Sequence, residues 1–336
     1  MKNLPKLEKK VPVEIIGAGY YLPERVLTNS DLEKMVDTNH EWITERTGIH
    51  ERRIAPPEMA TSDLAIHAAK SALENAKMEA EEIDLIICGT ITPDMQYPST
   101  ACFVQKGIGA RNAFAFDLSA ACTGFIYALS TAYMYLSNDY IKTALVIGAE
   151  KLSTITDYED RNTCVLFGDG AGAVVLKRTE NEGHGLIDFI LESDGRNVAW
   201  LEVPGGGSRY PATKETVDQK MHFTKMKGRE VFKFAVTAMK RTTVRIAERN
   251  NLAAEDITWL IPHQANKRII DAASQALGLD QSKIHYNIHK YGNMSAASTA
   301  VGLAEVILNN DLKKDDYLLL VAFGAGMTWG SALIKW

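Results

Sequence analysis

Phe114-Ala-Phe-Asp-Leu-Ser-Ala-Ala-Cys-Thr-Gly-Phe-Ile-Tyr-Ala-Leu129 is a strand, a tight elbow and a helix written in sixteen residues. The large apolar side chains of Phe114, Phe116 and Leu118 read as a strand, and Ser119, Ala120 and Ala121 narrow the chain into a turn. From Cys122 through Leu136 the composition suits a buried helix. Cys122 is thereby expected in the first helical turn, where unpaired N–H groups and the positive end of the dipole favour a thiolate. Small residues ahead of the sulfur leave room for a substrate, and a thiolate so placed is a nucleophile toward acyl groups. A cysteine on an apolar helix is more commonly a small core residue, so the assignment needs support from the rest of the chain.

That support begins with a duplication. Ala72–Ile86 resembles Ile246–Leu260, and Ala144–Glu150 resembles Leu318–Gly324, both at an offset of 174 residues. Ser119-Ala-Ala-Cys-Thr123 matches Ser295-Ala-Ala-Ser-Thr299 at 176, and Phe167-Gly-Asp-Gly170 echoes Phe323-Gly-Ala-Gly326 at 156. Two copies of one α/β unit are expected, divided as 1–180 and 181–336. Only the first copy keeps sulfur at its elbow, with Cys122 set against Ser298. The second offers His263 just after the apolar strand Trp259-Leu-Ile-Pro262, and Asn293 ahead of its elbow in Tyr291-Gly-Asn-Met-Ser-Ala-Ala-Ser298. If the copies pack about a pseudo-twofold axis, Cys122, His263 and Asn293 converge in a cleft between them, a common place for ligands. Read singly, Asn293 after Gly292 is an ordinary turn residue.

Composition sets the bounds. The 336 residues exceed one ordinary core, and 46% hydrophobic with 24% charged residues is the balance of a soluble globular enzyme. A net charge of −5 argues against nucleic acid as the partner. Cys88, Cys102, Cys122 and Cys164 show neither a C-x-x-C pair nor zinc spacing, so no metal site is expected. The start Met1-Lys-Asn-Leu-Pro-Lys-Leu-Glu-Lys-Lys10 does not read as a signal peptide, and no stretch approaches a membrane span. A cytoplasmic location is the expectation.

Taken together, Asp117-Leu-Ser-Ala-Ala-Cys-Thr-Gly-Phe125, Pro262-His-Gln-Ala-Asn-Lys-Arg-Ile-Ile270 and Gly292-Asn-Met-Ser-Ala-Ala-Ser298 resemble the β-ketoacyl-acyl-carrier-protein synthase III family. So do Asn29–Thr38, Glu41–Gly48, Phe167–Ala173 and Phe323–Ala332, and the likeness runs from about Val13 to Trp336. It implies a thiolase-like, five-layered αβαβα fold built from two duplicated halves. It further implies a homodimer that starts fatty acid chains by decarboxylative Claisen condensation of a short acyl-CoA, acetyl-CoA first, with malonyl-acyl-carrier protein. Cys122 would carry the acyl group, while His263 and Asn293 would hold the oxyanion of the decarboxylating thioester; the backbone N–H groups of Cys122 and Ala325 would hold that of the acyl-cysteine. Asn at 293 marks the priming class, since elongating synthases of this fold place a second His there. Met294 and Ala325 depart from the commoner Thr and Gly of the family.

By the same resemblance coenzyme A falls on Thr38, Trp42, Arg46 and Arg161, with Gly228, Phe232 and Asn266 along the pantetheine. An indole and a guanidinium suit an adenine between them. Gln264, Ala265, Asn266, Lys267 and Arg268, with Lys233, form the expected face for an acidic carrier. Tyr97 is the expected acyl-pocket wall, lent across the dimer, and its bulk predicts a short starter. No permanently bound cofactor is implied. Three alternatives stand beside this reading: a relative of secondary metabolism with a different acyl acceptor, a non-catalytic docking module, and a dehydrogenase. The last is weak, because Gly17-Ala-Gly19 is too short for a dinucleotide fingerprint.

Overall fold

The computed structural model describes residues 11–138 and 140–336; the N-terminal stretch 1–10, with the reading made of it above, lies outside them. Nine strands carry the fold: β1 Val13–Tyr21, β2 Leu85–Gly89, β3 Phe114–Leu118, β4 Thr143–Lys151, β5 Asp169–Arg178, β6 Gly185–Ser193, β7 Ile257–Pro262, β8 Tyr317–Gly324 and β9 Thr328–Lys335. Their order across the sheet is β7-β8-β9-β6-β1-β5-β4-β2-β3. The middle join is thin, because β6 meets β1 at the single pair Val13–Gly185. The sheet is in effect two, one of five strands and one of four. β2 runs parallel to β4 as β7 does to β8, and β5 and β9 return antiparallel beside them. The four-stranded sheet keeps a remnant of a fifth strand in the parallel bridge Leu260–Ile284.

Helices fill the remaining layers. α1 is His40–Thr47, α2 Thr61–Ala76, α3 Thr100–Ile108, α4 Gly124–Leu136, α5 Gly228–Arg249, α6 Lys267–Leu277, α7 Ile288–Tyr291 and α8 Ala296–Asn309. α4 and α8 form the central layer, and their apolar faces join Val146, Val174, Leu318 and Leu320 of both sheets in one core. α2 and α3 cover one outer face with Leu64, Ala68, Ala72 and Val104; α5 and α6 cover the other with Val231, Met239, Ile246 and Ile269. The order is thus αβαβα. β1 lies tight against α2: a Cβ on Gly17 would stand 2.5 Å from the Ala72 carbonyl oxygen, so Gly17-Ala-Gly19 is a packing feature.

Both elbows repeat in backbone as well as in sequence. Ala121 and Ser295, 174 residues apart, take positive φ of 48° and 47° just before α4 and α8. The shared left-handed residue aligns Cys122 with Ala296, correcting by two positions the alignment with Ser298.

Candidate active site

Cys122 stands where a strand of one copy ends against the elbow of the other. Cys122 lies in the short 3-10 turn Ala121–Thr123 that leads into α4. β8 ends at Gly324, where a Cβ would come within 2.7 Å of the Cys122 backbone nitrogen, so only glycine lets the two segments meet. The contact puts Ala325 next to Cys122. In the turn that follows, the left-handed residues are Gly326 and Met327 (φ 72° and 46°), so alanine at 325 carries no backbone strain. Thr123 Oγ1 bonds the Ala120 carbonyl (2.6 Å) and Thr328 Oγ1 (2.8 Å), locking the elbow to that turn.

His263 follows β7, fully buried, with its backbone N–H on the Val321 carbonyl at 2.7 Å and its ring edge-on to Phe323. Neither ring nitrogen has a protein partner. Burial alone pushes the imidazole pKa down to about 3, so the ring is neutral and its N–H remains available to a ligand. Asn293 is held by its backbone, donating to the Leu166 carbonyl (2.9 Å) and accepting from Gly168 N–H (3.0 Å). Its Oδ1 accepts from Ser295 N–H at 2.9 Å, which leaves the amide NH₂ as the free end. Met294 packs into a small core with Tyr291 and Val301 and takes no part in the cleft.

One cavity of about 200 Å³ is lined by Cys122, His263 and Asn293 together with Trp42, Arg46, Gly228, Phe232 and Asn266. Beyond Trp42, the Arg161 guanidinium already lies on the indole, 4.4 Å from its centroid, and donates to the Asp37 carbonyl beside Thr38. The slot expected between the two side chains is therefore closed. Asn266 spends its side chain on structure: Oδ1 caps α6 through Arg268 N–H, and Nδ2 donates to the Arg46 carbonyl.

Two expectations need correction. Gln264 does not face a carrier, being fully buried; it donates to the Pro262 and His285 carbonyls and accepts from Asn287 and Ile288 N–H. Ala265, also buried, lines the cavity, so the exposed part of the segment begins with Lys267 and Arg268. The resting Cys122 is not a thiolate either. Burial pushes its pKa up to about 12, with the Glu150 charge adding to the rise and the Ser295 hydroxyl opposing it. That rise corresponds to about 4 kcal/mol, more than a helix end of at most about 2 kcal/mol returns.

A second cavity, about 390 Å³, opens on the far side of Cys122. Ile91, Leu152, Ile155, Phe167, Leu201 and Val203 give it an apolar wall. Apart from Phe167, which opens a repeated motif, none of them was singled out in the sequence, where such residues look like any core residue. Tyr97 does not line it within one chain; the ring is 84% exposed. Among the described residues no group of three or more His, Cys, Asp or Glu is placed to hold a metal, and no helix is long and apolar enough to cross a membrane.

This layered fold, with Cys122 at the junction of the copies, is that of the thiolase-like condensing enzymes, which are acyltransferases. Residues 116–195 match the family model of 3-oxoacyl-[acyl-carrier-protein] synthase III, and 247–336 match that of its C-terminal part. The chain belongs to the β-ketoacyl-[acyl-carrier-protein] synthase III family. It is 55% identical over 328 residues to the synthase III of Caldanaerobacter subterraneus subsp. tengcongensis, covering 98% of this chain and 99% of that one. Among solved structures it resembles the 3-oxoacyl-[acyl-carrier-protein] synthase III of Aquifex aeolicus, with a TM-score of 0.89 and 46% identity over 97% of this chain and 100% of that one. It also resembles the priming β-ketosynthase of the R1128 polyketide biosynthetic pathway, with a TM-score of 0.88 and 30% identity over 98% of both chains.

Proposed function

We propose that the chain primes fatty acid synthesis. Cys122 takes an acyl group from coenzyme A, and malonyl-acyl-carrier protein is then decarboxylated and condensed onto it. The observation that carries this reading is the cavity that Cys122 shares with a neutral imidazole and an amide whose NH₂ is its free end. Decarboxylation places negative charge on the thioester oxygen of the malonyl group, and two neutral donors fixed beforehand stabilise that charge without reorganising. Attack of the resulting carbanion on acyl-Cys122 makes a second oxyanion, assigned to the N–H groups of Cys122 and Ala325. Each donor removed from such a hole costs roughly 3–4 kcal/mol of barrier.

The remaining assignments follow the shape of the cleft. Pantetheine runs past Phe232 and Gly228, and the adenine displaces Arg161 from Trp42. Lys233 and Arg268, with the Arg268 guanidinium over the Phe232 ring at 4.9 Å, offer cations at this mouth to an acidic carrier. Lys267 contributes less, since Asp271 already holds it at 2.7 Å. The starter acyl group enters the apolar cavity behind Cys122. A second copy of the chain is assigned to the edge strand β3, where Phe114, Tyr135 and Tyr140 form an exposed aromatic cluster and backbone groups await a partner. Tyr97 of that copy would then shorten the acyl cavity. The boundary at 180 gives the nucleophile to one half and its donors to the other, and the cytoplasm is the assigned compartment.

Intact-protein mass spectrometry after mixing with acetyl-CoA tests the proposal. One acetyl group on Cys122, discharged by malonyl-carrier protein with release of acetoacetyl-carrier protein, is the expected result. An acetyl group that malonyl-carrier protein cannot discharge would assign the chain to a different acceptor. Failure to acylate with acetyl-, branched and longer acyl-CoAs alike would overturn the proposal.

A further inference from the structure

Glu150, at the end of β4, is a fully buried carboxylate that the two-oxyanion chemistry does not use. Its Oε2 accepts from Thr92 Oγ1 at 2.7 Å, from Thr90 Oγ1 at 3.2 Å, and from the N–H groups of Ile91 and Thr92. Oε1 accepts nothing and is sealed from solvent. Toward the cleft stands Ser295, the left-handed residue of the second elbow, whose buried hydroxyl also makes no formed hydrogen bond. Ser295 shares the acyl-cavity wall with Cys122, and its hydroxyl lies near enough to favour the charged form of both the thiol and the carboxylate. Two buried polar atoms without a formed hydrogen bond, Ser295 Oγ and Glu150 Oε1, thus lie close to the sulfur, and an unused buried acceptor costs stability unless something employs it.

We infer that Glu150 receives the Cys122 proton through the Ser295 hydroxyl when the thiol attacks the acyl thioester. The inference rests on the acylation of Cys122 proposed above. As sulfur bonds to the acyl carbon, its proton passes to Ser295 Oγ while the Ser295 proton passes to Glu150 Oε1. The thioester C–S bond then breaks, coenzyme A leaves as a thiolate, and the proton returns along the same path to give free coenzyme A. Nothing is oxidised, and Glu150 ends as the carboxylate it began as.

The alternatives in the cleft are poorer. His263 is held neutral with its pKa near 3, which suits a donor and disqualifies it as the acceptor, whereas burial raises Glu150 to about 7. The charge of Glu150 itself helps to keep the thiol protonated, so moving the proton between them leaves one negative charge in the site rather than two. The other ionisable groups around β4 are otherwise engaged. Lys151 donates to the Pro56, Pro57 and Met59 carbonyls. Asp169 binds Ser153 and Ala55 N–H, Asp117 caps the start of α3, and Asp94 binds Ser62. Cys88, with its pKa raised well above normal by burial, stays a thiol.

The test is the pH dependence of Cys122 alkylation by iodoacetamide, which requires no acyl substrate, read beside the rate of acyl transfer from acetyl-CoA. In the unaltered protein the alkylation rate should rise in a step near pH 7, as Glu150 loses its proton, and rise again only in strong alkali. In Glu150→Gln the amide oxygen keeps the Thr92 bonds while its NH₂ cannot take a proton. Both Glu150→Gln and Ser295→Ala should lose the step and acylate about 10²-fold or more slowly, the usual range for general acid–base help. The double variant should be no slower than either single one. Glu150→Asp should retain the step at a reduced rate. A step that persists in Ser295→Ala, whether or not Glu150→Gln folds, would overturn the relay. Failure of the unaltered protein to acylate while the step is present would overturn the proposed function and leave the relay standing.

Discussion

The two elbows have nearly the same backbone and opposite chemistry. Ala121 and Ser295 share a left-handed φ within one degree, and each leads into a helix of the central layer. What differs is the strand end that the other copy brings. The Cys122 elbow meets Gly324, whose missing side chain exposes the Cys122 N–H, whereas the Ser295 elbow has Glu150 behind it. Glu150 and Gly324 are themselves counterparts, 174 residues apart at the ends of matched strands. A duplicated unit has therefore diverged crosswise: each copy supplies the surroundings of the other's elbow. In the proposed reaction one elbow carries the nucleophile, while the other holds Asn293 through the Ser295 N–H.

Removing the sulfur tests that division most severely. Cys122→Ala should leave no acyl adduct detectable by mass spectrometry, while the melting temperature stays within a few degrees because the side chain lost is small. An adduct elsewhere on the variant would move the nucleophile out of the first elbow. Next in size is the acid response of His263. Its folded pKa, near 3, is depressed below the ordinary 6.5, so the unfolded chain binds the proton more readily between those values. This contribution is intact above pH 6.5 and is lost as pH falls toward 3, by about 5 kcal/mol in all and about 3 kcal/mol by pH 4.5. Denaturant titrations at pH 7 and 4.5 should show His263→Asn losing that much less than the unaltered protein. Equal losses would mean that the imidazole is not buried neutral.

Asn293→Ala comes third. The loss of one donor should slow condensation by about 10²–10³-fold and leave acylation of Cys122 close to normal, a split that single-turnover kinetics with acetyl-CoA and then malonyl-carrier protein resolves. Condensation at the unaltered rate would return Asn293 to the turn residue it resembles in isolation.

How much of this the sequence makes legible depends on how each residue declares itself. Cys122, His263 and Asn293 stand out because a chemically distinctive side chain interrupts a repeated apolar or small-residue pattern. Trp42 and Arg161 are legible only through the family resemblance, and the closed stack between them is a matter of side-chain position that no spacing encodes. Gln264 misleads because it opens the polar run Gln264-Ala-Asn-Lys-Arg268; the helix begins only at Lys267, and the preceding turn points the amide inward to bond Asn287 and Ile288. Glu150 is hidden in the same way, since a carboxylate at the end of an apolar strand normally marks the surface. The acyl-cavity wall is the least legible part: Ile91, the 3-10 turn Leu152–Ile155 and the segment at Leu201 and Val203 lie far apart in sequence, and only the tertiary fold assembles them.

The smallest effect asks whether the two elbows are strained for the same reason. A non-glycine residue at φ near 48° costs about 1 kcal/mol or more, and glycine removes that cost while adding freedom to the unfolded chain. Ala121→Gly should therefore shift stability by less than about 1 kcal/mol in either direction and preserve acylation, because Gly324 and the Thr123–Thr328 contact still place Cys122. Ser295→Gly should be as mild on stability, since its backbone N–H to Asn293 is kept, yet it should slow acylation because the hydroxyl is gone. If both glycine variants acylate normally, the Ser295 hydroxyl takes no part in acylation and the elbows do not differ in the chemistry assigned to them. If Ala121→Gly is the slow one, then the left-handed alanine itself aims the sulfur, and strain at the first elbow has become part of how the nucleophile is presented.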